Sequence, residues 1–301
     1  MHVPHVSILI PAYHERYFAE ALASARTQEP PSIEILVADD SGGGAIRACV
    51  EAAADPRIRY MRNDPVRGFE GNFTFLLSEA CGDFVKFLND DDRLRPGCVA
   101  RLAAALDADP RATLATSRRT VIDELGAPRA DTPATAAISH ATCTIEGLEL
   151  GDLALVNSTN FIGEPTTAMF RRGDVVSEAG GLFTWHGKSY RCLADLSLWL
   201  RLLAKGRAFY CATPLSEYRV HAGQEQRAAH MGAGCITERL DLVRAARAEG
   251  FIAQPAQYRA ALHRVDVLCT AWQARPGVPA EQRDTLRRLS TEIEGLELAT
   301  H

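Results

Sequence analysis

The chain has 301 residues, enough for two domains of ordinary size or for one α/β domain with an appendage. Basic residues number 33 and acidic residues 38, giving a net charge of -5 at pH 7, so no basic surplus exists to bind a polyanion by phosphate neutralisation. Hydrophobic residues at 47% and charged residues at 24% exclude a disordered or collagen-like chain.

The longest apolar runs, such as Val6 to Ile10, fall far short of the ~20 residues needed to span a bilayer. No basic segment precedes a long apolar one, so neither a membrane span nor a secretory signal is expected, and the chain reads as cytoplasmic. Eight cysteines (Cys49, Cys81, Cys98, Cys143, Cys192, Cys211, Cys235 and Cys269) are scattered with no C-x-x-C pair. They read as buried or incidental thiols, with neither a zinc site nor a disulfide framework.

Val6 to Ile10 is a nearly unbroken apolar run, as a strand buried on both faces should be, and it ends at Pro11. Phe18, Leu22 and Ala25 repeat at helical spacing. Ile35 to Ala38 predicts a second strand, followed by Asp39-Asp40-Ser41 and a triple-glycine loop. A helix over Ala48 to Ala53, a strand at Ile58 to Met61, a helix through Phe69, Phe73, Leu76 and Ala80, and a strand at Phe84 to Leu88 continue the rhythm. Such alternation predicts right-handed crossovers and a mostly parallel sheet with helices on both faces.

Beyond Asn89 the pattern loosens. A helix is expected over Pro96 to Ala108, a strand over Ala112 to Val121, a loop over Gly126 to Ala137, a helix over Thr144 to Val156 and an extended piece over Thr167 to Phe170. Gly180-Gly181 opens a polar loop through Ser189, and Leu193, Leu196, Leu200 and Leu203 mark one helical face. The tail carries three apolar stripes: Ile236, Leu240 and Val243; Tyr258 through Trp272; and Leu286, Leu289, Ile293 and Leu296. They predict a helical appendage, read as a homodimer interface, with a lid or an acceptor platform as alternatives.

In a parallel α/β sheet, ligands bind at the carboxyl ends of the strands. Pro11-Ala12-Tyr13-His14-Glu15 follows the first strand and offers a ring to stack on a base, or serves simply as a helix entry. Asp39-Asp40-Ser41 follows the second. A carboxylate there can accept the imide N–H of a pyrimidine or ribose hydroxyls, or can merely stabilise a turn. Asn89-Asp90-Asp91-Asp92 follows the strand at Phe84. Adjacent acids repel one another unless a cation sits among them, and Mg²⁺ or Mn²⁺ binds through one or two carboxylates plus substrate phosphates. Ala194-Asp195 opens a helix. His221, His186 and Lys188 are further polar candidates in loops. The absence of G-x-G-x-x-G, G-x-x-x-x-G-K-[ST] and G-x-S-x-G removes the main supports for a dinucleotide oxidoreductase, a P-loop NTPase and an α/β hydrolase.

Taken in order, VSILIPAYHE, EILVADDS, GFEGNF, GDFVKFLNDDDRLRP, IGEPTTAMFRR, LADLSLWLRLLAKG and YRVHAGQ resemble the family 2 glycosyltransferases over about residues 5 to 225. The resemblance implies a GT-A fold, a Rossmann-like mixed sheet flanked by helices, over 1–225, with an α-helical extension over 226–301. It implies an inverting transfer of a sugar from a nucleotide-diphosphate donor, UDP- or dTDP-linked, to an acceptor hydroxyl on a glycan, glycolipid or small molecule. Binding of Mn²⁺ or Mg²⁺, and a cytoplasmic location that can be peripheral to the inner membrane face, follow from the same likeness.

Residue by residue, Pro11, Tyr13 and Glu15 would line the nucleotide pocket, with Asp40 as the base contact, Asp39 beside it and Arg67 near the nucleotide. Asn89-Asp90-Asp91 falls on the D-x-D motif, with Asp91 the metal ligand, Asp92 a supporting acid and His221 a further metal or diphosphate contact. Asp195 falls on the second acid of a Glu-Asp pair that supplies the general base. Asn89 and Ala194 stand where the family usually has acids. These departures motivate an alternative, a sugar-nucleotide binding protein without catalysis. A nucleotidyltransferase is a further alternative, but it calls for a Gly-rich basic loop that PAYHE does not provide.

Overall fold

The computed structural model describes residues 5–29, 32–176, 181–224 and 232–299; Gly180 and the 225/226 boundary lie outside them. The chain divides into two compact units, each drawn from separate stretches of sequence. The first takes the described residues of Met1–Ile145, Phe161–Leu182 and Lys205–His221; the second takes those of Glu146–Asn160, Phe183–Ala204 and Ala222–His301.

The first unit is a mixed α/β sheet whose leading half follows the predicted rhythm. The strands are β1 (Val6–Ala12), β2 (Ile33–Asp39), β3 (Ile58–Arg62) and β4 (Phe84–Phe87), with helices α1 (Glu15–Arg26), α2 (Ala45–Ala53) and α3 (Gly68–Glu79) between them. β1 pairs in parallel with both β2 and β4, and β2 with β3. Pro11 lies inside β1 rather than ending it. Pairing with β4 stops at Leu9, so the missing proline N–H leaves no bond unmade on that side. Side chains of the leading strands alternate between two faces, both of them buried. Val6, Ile8 and Ile10 join Phe18, Leu22, Leu102 and Leu106 in one core, while Phe73 and Phe87 stack at 4.9 Å.

After β4 come β5 (Arg93–Leu94), α4 (Cys98–Ala108), β6 (Ala112–Ile122) and β7 (Cys143–Glu146); α5 (Gly147–Asn157) belongs to the second unit. The expected helix over Thr144 to Val156 therefore begins late. Thr144 and Ile145 are β-branched and extend to pair beside a later strand, and Glu146 is the N-cap. β8 (Met169–Arg171) runs antiparallel to both β4 and β6 and is followed by the single turn α6 (Gly173–Val176). β9 (Thr184–Trp185) and β10 (Lys188–Ser189) form a hairpin inside the expected polar loop, turning on His186 and Gly187, both at positive φ. Helix α7 (Ala194–Leu203) precedes β11 (Arg207–Arg219), a long strand that no apolar run announced. β11 contains Pro214 within the register shift between Cys211 and Ser216, which masks its periodicity. The nine-stranded sheet runs β3-β2-β1-β4-β8-β6-β11-β5, with β7 against β11.

The second unit packs α5 and α7 with α8 (Gly232–Ala248), α9 (Pro255–Gln273) and α10 (Ala280–Leu298). The expected boundary at 225 and this unit do not coincide, because α5 and α7 bury their apolar faces with the tail helices. Leu150, Leu200, Phe251, Leu262, Val265 and Leu286 are all buried here. Much of the tail stripes is thus spent on packing within the unit. Pro255 starts α9 behind a Gln254/Gln257 capping box. Cys192 and Cys235 are joined by a disulfide, which corrects the expectation of free thiols. The two lie 43 residues apart in sequence, and only the packing of α8 beside the segment leading into α7 brings them together.

Candidate active site

Because β1 to β4 are parallel, the residues after each strand meet along one edge of the sheet. β8 is antiparallel to β4 and to β6, and β11 is parallel to β6, so the chain leaving β11 returns to that same edge. Topology thus brings His221 to Asp91. His221 Nε2 lies 3.1 Å from Asp91 Oδ2. The histidine is buried and its ring packs 5.1 Å from that of Tyr17.

The acids flanking Asp91 are spent on holding the loop. Asp90 Oδ2 accepts the backbone N–H groups of Tyr13 and His14, each at 2.6 Å, which ties the end of β4 to the end of β1. Asp92 Oδ2 accepts the Thr166 hydroxyl at 2.6 Å and the Asn89 side-chain amide at 3.3 Å, while Oδ1 accepts the Arg219 N–H at 2.9 Å. Asp92, expected as a metal-supporting acid, is buried and both its oxygens face protein donors. Burial, with Asp91 alongside, pushes the Asp90 carboxyl up to about 6 and raises Asp92 well above the usual carboxylate range.

Arg219 is a hub that the sequence reading passed over. Fully buried, it donates from Nε to the Asp91 carbonyl at 2.8 Å, pairs with Glu20 at 2.6 Å and lies 4.3 Å over the Tyr17 ring. Its signal was an arginine two residues before His221, at the end of a strand. Among the described residues no three His, Cys, Asp or Glu side chains gather as a metal cage. Asp91 and His221 form a two-donor set instead. That set fits an ion whose remaining positions go to phosphate and water.

On the β1–β2 side, Pro11 is buried, Tyr13 is 61% exposed, and the exposed Glu15 packs against Gly43. Asp39 is buried, accepting the Ser41 N–H at 2.8 Å and the Tyr60 hydroxyl at 2.7 Å. Asp40 is buried too. It accepts the Asn63 amide at 2.6 Å and the backbone N–H groups of Arg67 and Gly68 at 3.2 and 2.8 Å. It anchors the first turn of α3, a role that an acid followed by Ser in the sequence did not reveal. Arg67 is exposed, donates to Asn63 Oδ1 at 2.9 Å and lies 3.9 Å over the Phe75 ring. Glu164 is ion-paired with Arg119 at 3.1 Å and accepts the Thr167 hydroxyl.

In the second unit, Asp195 occupies the first turn of α7, as expected. Its Oδ2 accepts the Asn160 amide at 2.9 Å and its Oδ1 the Leu196 N–H at 2.7 Å. His186 pairs with Glu249 at 2.9 Å, and Lys188 with Asp241. Both loop residues thus have partners inside their own unit.

Fold and strand-end acids define the class, and sequence comparison gives the family: residues 7–175 match the model described as glycosyl transferase family 2. The chain belongs to this family and is a glycosyltransferase. It is 30% identical over 226 residues to the uncharacterized protein MT1568 of Mycobacterium tuberculosis, covering 74% of this chain and 69% of that one. It is 33% identical over 104 residues to the GalNAc(5)-diNAcBac-PP-undecaprenol beta-1,3-glucosyltransferase of Campylobacter jejuni, spanning 33% of this chain and about a third of that protein (34%). Among solved structures, S. aureus TarS 1-349 in complex with UDP-GlcNAc superposes with a TM-score of 0.67 at 13% identity, covering 96% of this chain and 80% of that one. That likeness establishes the GT-A fold. Among the described residues, no helix is long and apolar enough to cross a membrane.

Proposed function

We propose that the protein is a metal-dependent, inverting glycosyltransferase that moves a sugar from a UDP- or dTDP-linked donor to an acceptor hydroxyl. The observation that carries this reading is the Asp91–His221 pair at the carboxyl edge of the sheet, with Asp90 and Asp92 turned to structural work on either side. Asp91 and His221 would hold a divalent ion, and the imidazole nitrogen makes Mn²⁺ a better match than Mg²⁺. Such an ion, when bound, supplies neutralisation of the charge that develops on the departing diphosphate. The crowded acids around Asp91 favour a cation beside them for the same Coulombic reason.

Tyr13 offers an exposed ring for the base, with Pro11 and Glu15 alongside, and Arg67, whose N–H is held by Asp40, would meet the nucleotide. Asp39 and Asp40 would act mainly by shaping that pocket, since their oxygens already accept protein donors. Asp195 would take the proton of the acceptor hydroxyl. That oxygen forms a bond to the anomeric carbon while the bond to the diphosphate oxygen breaks on the opposite face, so the configuration inverts. A carboxylate of ordinary basicity suffices when proton transfer is late. Glu164 is a weaker candidate, because it is already paired with Arg119.

The Campylobacter relative is named for a PP-undecaprenol-linked substrate. We infer a glycan or glycolipid acceptor here as well. The tail helices serve the transferase as internal packing, in preference to a dimer interface, because their stripes are largely buried.

The test is a turnover screen of UDP-, dTDP- and GDP-sugars with Mn²⁺. Asp91→Ala should abolish turnover and the Mn²⁺-dependent part of nucleotide affinity; parental metal and nucleotide binding would remove the metal assignment. Asp195→Asn should lower transfer by ~10²- to 10⁴-fold with donor affinity retained. A near-parental rate in that variant would end its role as base.

A further inference from the structure

Helices α7 and α8 both lie beyond the segment matched by the family model, and three residues of α8 converge on the start of α7 or on the turn that holds its Asp195. Cys235 is bonded to Cys192. Glu238, one turn on, accepts the backbone N–H groups of Arg191, Cys192 and Leu193 at 3.1, 2.9 and 3.0 Å. These are the residues immediately before Ala194-Asp195. Arg239 donates from Nη1 to both the carbonyl and the hydroxyl of Ser158, each at 2.9 Å. Ser158 is the left-handed C-cap of α5, at a φ of 50°, and Asn160, two residues further, donates to Asp195 at 2.9 Å. Ser158, Leu193, Leu196 and Arg239 line one shallow surface pocket, which puts Arg239 beside the first turn of α7.

Spacing of i, i+3 and i+4 puts Cys235, Glu238 and Arg239 on one face of α8. We propose that this face positions Asp195: Glu238 and the disulfide hold the backbone entering α7, and Arg239, through the Ser158–Asn160 turn, aims the Asp195 carboxylate and lends it a nearby positive charge. The inference rests on reading Asp195 as the base and adds a positioning residue from a different helix. The charges around the carboxylate support it. Arg239, whose pKa is lowered by burial, interacts electrostatically with Asp195 and Glu238, and among the described residues Arg264 of α9 is a further cation near it.

The experiment is a ¹³C-carboxyl NMR titration of the full chain with labelled aspartate, the Asp195 resonance being assigned by its loss in Asp195→Asn. In Arg239→Gln its midpoint should rise by roughly half to one pH unit, because a nearby cation that favours the carboxylate is gone. Arg239→Lys, which keeps the charge, should return most of that shift. With the donor found by the screen, Arg239→Gln should lower kcat about tenfold and leave donor KM within about twofold. An unchanged midpoint and kcat in folded Arg239→Gln overturns the proposal. Should that variant not fold, Asn160→Ala must lower kcat at constant donor KM, and parental kcat there overturns it equally. The two layers separate cleanly. Full turnover in Asp195→Asn removes the base, whereas a silent Arg239→Gln beside a dead Asp195→Asn removes only the positioning role.

Discussion

Asp40→Asn distinguishes a ligand contact from a structural clamp. The carboxylate presents Oδ1 to the Asn63 amide and the Arg67 N–H, and Oδ2 to the Arg67 and Gly68 N–H groups. Asparagine is isosteric but has one acceptor oxygen. Whichever way the amide turns, an NH₂ group faces a donor, and a buried N–H loses its partner at a cost of about 1–3 kcal/mol. The anion at the first turn of α3 also goes, a loss of about 0.3–1 kcal/mol. The sum is about 1–4 kcal/mol, and a unit of this size should melt roughly 3–15 °C lower. Calorimetry on both proteins reads the melting change, and titration with UDP and Mn²⁺ well below both transitions reads the site. The expected result is a clear fall in melting temperature with UDP affinity reduced in parallel. An unchanged melting temperature with a more than tenfold loss of UDP affinity would refute the clamp and restore Asp40 as a direct base contact.

Two further substitutions probe stability. At Gly151, a Cβ would meet Phe251 Cδ1 at 2.5 Å and Leu200 Cδ2 at 2.9 Å, whereas at Gly295 in α10 it would meet nothing within 4 Å. Gly151→Ala should therefore destabilise by about 1–3 kcal/mol through overpacking, and Gly295→Ala should stabilise by about 1 kcal/mol through helix propensity; urea unfolding that ranks them the other way would contradict the packing described. The Arg57 hydrogen bond, with Arg26 also close, holds the Asp55 carboxyl down at about 2, below its unfolded value near 4. A depressed folded pKa means stability present above about pH 4 and lost as pH falls towards 2. Screening at the partly exposed arginines limits this to about 1 kcal/mol. Asp55→Asn should show that loss at pH 7 and almost none near pH 2, and an equal loss at both would point to packing instead.

The first half of the fold was legible because its forces are local. β1, β2 and β4 are buried on both faces and read as apolar runs, and α1 and α3 carry one-sided stripes, so their order alone implied a parallel sheet with polar strand ends on one edge. Asp91, His221 and Asp195 could be named as candidates from residue type and motif order. What each does depended on partners far away in sequence. Asp90 and Asp92 look equivalent to Asp91 as letters, yet one is taken by Tyr13 and His14 and the other by Thr166 and Arg219. Strand β11 hid behind Pro214 and a register shift, and with it went the reason why His221 returns to the edge where Asp91 waits, 130 residues earlier. The disulfide escaped for the same cause: no spacing rule links Cys192 to Cys235 until α8 has packed beside α7. Periodicity and composition record which faces avoid water, and so fix elements and their order. Which buried donor meets which carboxylate is set only when those faces close on one another, and that closure belongs to the tertiary structure.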